Sequence, residues 1–255
     1  MEKNKFTCFK TYYFEKHKDF LSEVFFKFQG FTLRNIIERV NMIRKQDYAE
    51  LENALKIYDI EEHTTEIILL CKNLLGSHDI CHVFLYIGFF SPDAFVIRYS
   101  NDYVICVGLE RFRNFINYDV LLSHEFGHYI QNKRKGPGNE GLICKLVREG
   151  ISVYFSRLAF PGKKENEYLF LKRQNYNFLN LNYQHFLDRL KNHHTRIEDL
   201  FRTESKVFPP RAGYFLGYRI VQEYVKKIGP EDINQLIEVD ERSILSEVVG
   251  TLEWS

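Results

Sequence analysis

The chain has 255 residues, 45% of them hydrophobic and 16% aromatic, enough for one sizeable globular unit or two closely packed lobes. A formal net charge of +1 gives no general reason to expect nucleic acid or an anionic membrane as partner, and no stretch approaches the roughly eighteen uncharged apolar residues of a membrane span. Five cysteines (Cys8, Cys71, Cys81, Cys106, Cys144), odd in number and without CxxC spacing, behind a charged N-terminus with no apolar signal segment, fit reduced thiols and a cytoplasmic location.

From about Tyr12 to Leu75 apolar residues recur at helical spacing: Phe14, Phe20, Leu21, Val24, Phe25 and Phe28, then Leu33, Ile36, Ile37, Val40 and Ile43, then Leu51, Leu55 and Tyr58. The spacing predicts a helical lobe over residues 1–78, with the aromatic stripes as its core. The pattern changes at Cys81. Residues 82–88, 94–99 and 103–108 are short runs rich in β-branched and aromatic side chains, divided by Ser91-Pro92-Asp93 and Ser100-Asn101-Asp102. They predict a three-stranded meander, with His78 and His82 at its entry as structural residues.

Next comes His124-Glu125-Phe126-Gly127-His128, preceded by an apolar run from Tyr118 and possible caps in Asn117 and Asp119. A helix through it to about Gln131 is expected, stopped by the Asn-Lys-Arg-Lys-Gly-Pro-Gly-Asn stretch at 132–139. On that helix the two imidazoles lie one turn apart on one face, about 5–6 Å apart at Cβ, and can take two corners of a zinc tetrahedron. Glu125, rotated by roughly 100°, is poorly placed to share the metal but can reach a water bound to it.

A catalytic zinc usually has three protein ligands and one open position. The metzincin continuation would need Gly at 131 and His at 134; the chain has Gln131 and Arg134. A second helical stretch, 142–156, is apolar on both sides of Glu149, and a carboxylate buried there needs a cation, a donor or a metal. Folding this helix back antiparallel brings Glu149 toward the histidines, so it is the expected third ligand, with Glu140 as the competing carboxylate in the loop. Cys144 falls on a different face and reads as a structural thiol.

Beyond Pro161-Gly162 the chain returns to helix over residues 166–190, with His185, His193 and His194 in or after it. Pro209-Pro210 precedes Gly213-Tyr214-Phe215-Leu216-Gly217-Tyr218. The glycines at i and i+4 flatten one helix face for close approach. Tyr214 and Tyr218 share another face, and either hydroxyl is a suitable neutral donor to a developing oxyanion; Tyr214 is preferred, with Tyr218 and Arg219 behind it.

The HExxH motif, followed by Glu149-Gly150-Ile151-Ser152-Val153-Tyr154 and by the Gly-Tyr-x-x-Gly-Tyr helix, resembles the gluzincin metallopeptidases, whose third zinc ligand is a glutamate on the next helix. More narrowly it resembles a bacterial family of predicted zinc-dependent proteases, over roughly residues 80–228. The resemblance implies an α+β, mostly helical fold, with a small antiparallel or mixed sheet beside the HExxH helix. The expected organisation is a helical lobe at 1–78, a zinc-binding core at 79–160 and a helical lobe at 161–255. It implies Zn2+ on His124, His128 and Glu149, a zinc-bound water activated by Glu125, and a peptide or protein substrate. It also implies that strand 103–108 walls the cleft and takes the peptide as an added strand. One departure is Val153, where thermolysin-like members carry a supporting aspartate. No acidic anchor for a free peptide N-terminus is recognisable, which favours endopeptidase over aminopeptidase action. The alternative is a catalytically silent gluzincin-like metal-binding regulator or interaction module, against which Glu125 argues, because structural zinc needs no general base.

Overall fold

The structure, a computed structural model, describes residues 4–90, 92–138, 141–191, 197–201, 208–229 and 232–250. Glu140, His193 and His194 lie outside the described residues. The fold is mostly helical with one three-stranded mixed sheet. Its helices are α1 (Lys5–Phe9), α2 (Lys18–Ser22), α3 (Leu33–Met42), α4 (Ala49–Ile57), α5 (Ile60–Leu75), α6 (Tyr118–Lys135), α7 (Leu142–Ala159), α8 (Glu165–Tyr168), α9 (Arg173–Leu181), α10 (Tyr183–Lys191), α11 (Ile197–Phe201), α12 (Ala212–Ile228), α13 (Ile233–Glu238) and α14 (Glu241–Val249). The strands are β1 (His82–Tyr86), β2 (Ala94–Tyr99) and β3 (Asp102–Gly108). No helix among the described residues is long and apolar enough to cross a membrane.

The chain divides into two compact units. The first joins Met1–His63 to Cys81–Phe115; the second joins Thr64–Ile80 to Ile116–Ser255. In the first, the aromatic stripes form a core: Phe9, Phe20, Leu21, Val24 and Phe25 pack with Tyr86, Phe95, Ile97, Val104 and Cys106 from the sheet. Phe20 stacks on Phe84 at 4.3 Å between centroids, and Phe28 on Phe95 at 4.5 Å. Such pairs add stability beyond the area they bury.

The sheet corrects the expected meander. β3 lies in the middle, parallel to β1 and antiparallel to β2, in the order β1-β3-β2. Only β2 and β3 form a hairpin, through Ser100 and Asn101, both left-handed (φ 48° and 70°), the backbone that a two-residue turn with the right twist requires. The β1–β2 connection instead carries the chain to the far side of the sheet. Its left-handed Phe89 and Phe90 (φ 54° and 62°) are held by the buried Glu110 carboxylate, which accepts from Gly88 N (3.0 Å) and Phe90 N (2.7 Å), and by Arg39 Nη1 donating to Phe89 O (2.8 Å). The continuous burial of Val104–Gly108 is that of a central strand, covered on both faces. With both edges hydrogen-bonded, β3 has no edge to offer an added peptide strand, which corrects that expectation too.

In the second unit α6 and α7 run antiparallel, turned by Gly136 at φ 76°. They approach closely where Gly127 meets Ser152: a Cβ on Gly127 would come within 2.9 Å of Ser152 Oγ. Gln131, 1% exposed, spans the same interface, its Nε2 donating to Arg148 O (3.1 Å) and Ser152 Oγ (2.9 Å). Arg148 in turn donates to Asn132 Oδ1 (2.7 Å) and Gly136 O (3.1 Å), closing the helix-to-helix turn. α12 lies across α7, where Gly150 faces the Gly217 carbonyl and Gly217 faces the Leu146 carbonyl; an added Cβ would come within 2.2 Å and 2.0 Å of those oxygens. The other glycine of α12, Gly213, packs against the Phe201 ring instead.

Candidate metal centre

α6 sets His124 and His128 on one face, and the antiparallel α7 returns Glu149 against them. His124 Nε2, His128 Nε2 and Glu149 Oε2 form a triangle with every edge 3.1 Å. The side chains are 7%, 20% and 12% exposed, so the cluster is largely out of water. Among the described residues, the His, Cys, Asp and Glu ligand atoms that converge closely enough to hold a metal ion are those of this trio. Cys144, His78, His82 and His185 are not part of it.

The donor set fits a metal better than it fits hydrogen bonding alone. The three edges cannot all be hydrogen bonds at once: if both imidazole nitrogens carry protons they meet donor to donor, and if either lacks one its lone pair faces that of the carboxylate. A tetrahedral zinc with ligand bonds of about 2.0–2.1 Å holds its ligand atoms about 3.3–3.4 Å apart, close to the edges found here. His124 Nδ1 is buried with no hydrogen-bond partner among the described residues, and Val153, in the position of the supporting aspartate, is 1% exposed. The ring thus lacks the outer hydrogen bond that usually orients a ligating histidine.

The charges respond as a coupled set. Burial lowers the pKa of His124, and His128 and Arg211 lower it further, against the pull of Glu149. Burial also pushes His128 down, but the charges of Glu149 and Glu125 outweigh it and leave this imidazole raised above its ordinary value. Burial pushes Glu149 up, yet His128 and His124 hold its carboxyl well below the usual carboxylate range. Metal-free, the cluster therefore keeps an ionised carboxylate against a protonatable His128, the anionic ligand a cation needs.

Glu125, 7% exposed, sits on the turn of α6 between His124 and His128. Tyr214 and Tyr218 occupy different surroundings. The Tyr214 ring lies 6.2 Å from the His124 ring and 5.4 Å from Phe201. Tyr218 is 1% exposed, its hydroxyl accepts from Gln222 Nε2 (2.8 Å), and burial with the nearby Glu165 carboxylate raises its pKa strongly. No hydrogen bond or ring contact among the described residues joins Tyr218 to the His–His–Glu trio. Arg219 is also engaged elsewhere, with Asn180, Glu223 and the Tyr183 ring.

Sequence reasoning passed over Arg211, which stands in a left-handed backbone (φ 60°) just ahead of α12, with its guanidinium carbon 4.3 Å from the centre of the Tyr214 ring. Only the preceding Pro209-Pro210 hinted at an unusual entry to that helix.

No curated protein and no solved structure matches the chain. The model of one family covers residues 99–246, taking in the His124-to-His128 helix, the Glu149 helix and α12. That family is described as Predicted Zn-dependent protease (DUF2268), and the chain belongs to it.

Proposed function

We propose that this chain is a zinc-dependent peptide-bond hydrolase of the gluzincin type, with His124, His128 and Glu149 as the metal ligands. The observation that carries the reading is the convergence of two imidazole nitrogens and one carboxylate oxygen at 3.1 Å from one another in a largely buried cluster. When bound, zinc supplies a water acidic enough to ionise near neutral pH and an electrophile for the substrate carbonyl.

The chain's own residues do the rest. Glu125 takes the proton of the attacking water and delivers it to the leaving nitrogen as the peptide bond breaks. Tyr214 donates a hydrogen bond to the carbonyl oxygen as that oxygen gains negative charge. Its ring against His124 supports this assignment, whereas Tyr218 already accepts from Gln222 and is buried, so it serves as the reserve candidate. That none of the five cysteines is joined in a disulfide accords with a reducing compartment such as the cytoplasm.

The test is digestion of a quenched-fluorescent peptide library by the purified, zinc-loaded protein. Cleavage that a chelator abolishes and zinc restores is expected. Bound zinc without chelator-sensitive cleavage across a broad library would favour a silent metal-binding module instead.

A further inference from the structure

Arg211 is a cation beside the metal cluster that no step above uses. The Tyr214 ring adjoins both: its centre lies 4.3 Å from the Arg211 guanidinium carbon and 6.2 Å from the centre of the His124 ring. A second ring, Phe170, lies 5.4 Å from the guanidinium carbon. Both Arg211 and Phe170 are left-handed, at φ 60° and 50°, a backbone that non-glycine residues hold only where the surroundings over-determine it and that gathers at ligand clamps.

The side chain is held by one of its nitrogens. Nε donates to Leu169 O at 2.9 Å, and among the described residues that is the protein hydrogen bond the guanidinium makes; no carboxylate among them lies within ion-pair distance. Among the described residues two aromatic contacts and one carbonyl position the group and leave its Nη donors their hydrogen-bonding capacity. A planar edge of paired N–H donors matches a carboxylate in two parallel bonds, which a lysine ammonium cannot reproduce.

We propose that Arg211 anchors a carboxylate of the peptide substrate within roughly three residues of the bond to be cleaved, and so sets specificity. The inference rests on the peptidase reading of the neighbouring cluster. Two sources supply such a group: the C-terminal α-carboxylate of a short peptide, or an Asp or Glu side chain. Anchoring by the C-terminus would turn the endopeptidase preference into cleavage near the carboxyl end of the substrate.

The test measures binding rather than turnover. Zinc-loaded Glu125→Gln protein is titrated, with fluorescence anisotropy as readout, into four N-terminally fluorescein-labelled hexapeptide pools. These carry a free or amidated C-terminus, with Asp and Glu either present or replaced by Asn and Gln. At least one carboxylate-bearing pool is expected to bind on the order of tenfold or more tighter than the pool with neither group. An acid-over-amide difference identifies the terminus, and an Asp/Glu-over-Asn/Gln difference the side chain. The preference is expected to vanish when Arg211→Gly is added, since glycine adopts φ 60° freely and preserves the helix entry, and to survive in part in Arg211→Lys. Equal binding of all four pools, or a preference that persists in Arg211→Gly, overturns the assignment. Failure of the peptidase reading shows separately, as absence of chelator-sensitive cleavage by the unsubstituted protein.

Discussion

Gly150 and Gly217 meet backbone to backbone, so that a Cβ on Gly150 would stand 2.2 Å from the Gly217 carbonyl oxygen. Gly150 follows Glu149 directly, and Gly217 lies one turn after Gly213 on α12. The contact lets α12 approach the back of the Glu149 helix without a side chain between them. It explains why a Glu-Gly pair and a Gly-Tyr-x-x-Gly-Tyr helix occur together: the glycine that keeps α12 close to α7 stands three residues after Tyr214.

Gly150→Ala is therefore expected to destabilise the protein by about 1–3 kcal/mol or more, through overpacking against a backbone that has little room to move. Denaturant unfolding measures this. Gly141→Ala is the control: it has a φ of −67° and nothing within 4 Å of an added Cβ, and should be near neutral.

Glu125→Gln should bind zinc as the unsubstituted protein does and lose hydrolysis by about 10²–10⁴-fold, the span of a positioned general base. His128→Ala should lose the metal. Metal analysis after gel filtration, run beside the peptide assay, separates the two; a Glu125→Gln protein that retains full activity would remove Glu125 from the mechanism.

Tyr214→Phe and Tyr218→Phe should differ in kind. The first is expected to lower kcat by about 10²–10³-fold with little change in KM, the effect of removing one oxyanion donor. The second removes the acceptor for Gln222 Nε2 in a buried setting and should cost about 1–3 kcal/mol of stability while leaving kcat within a few-fold. Steady-state kinetics and thermal melts on both variants decide; the reverse pattern would exchange their roles.

Zinc binding should strengthen with pH. A ligating imidazole must be neutral, and in the metal-free cluster Glu149 and Glu125 hold the His128 pKa above its ordinary value of 6.5, so zinc displaces a proton there. Below that raised value each pH unit is expected to cost about tenfold in affinity, and above it the dependence flattens. His124, whose pKa burial lowers, takes up its proton at lower pH and adds less to the dependence. Competition with a chelator of known affinity between pH 6 and 8 measures the slope; affinity that does not change with pH would show that no proton is displaced.

The His124–His128–Glu149 cluster was legible in the chain because it is local twice over. One helical turn carries both histidines, and the apolar helix around Glu149 made a lone carboxylate conspicuous. The sheet was legible only as three strands. Its order depends on Glu110 and Arg39 gripping the left-handed Phe89 and Phe90, contacts from distant residues that no strand propensity encodes. Arg211 escaped notice for a similar reason: a left-handed arginine stacked on Tyr214 leaves no periodic or motif signal. Val153 shows the opposite case, since a missing aspartate read from the chain corresponds to a His124 Nδ1 that is buried and, among the described residues, unpartnered.

Zinc X-ray absorption spectroscopy on the loaded protein, with metal content per chain measured for the unsubstituted protein and Glu149→Ala, tests the metal centre most directly. One zinc per chain is expected, bound by two imidazoles and oxygen donors without sulfur, with stoichiometry collapsing in Glu149→Ala. Full zinc occupancy in Glu149→Ala, or sulfur among the ligands, would contradict the assignment of His124, His128 and Glu149.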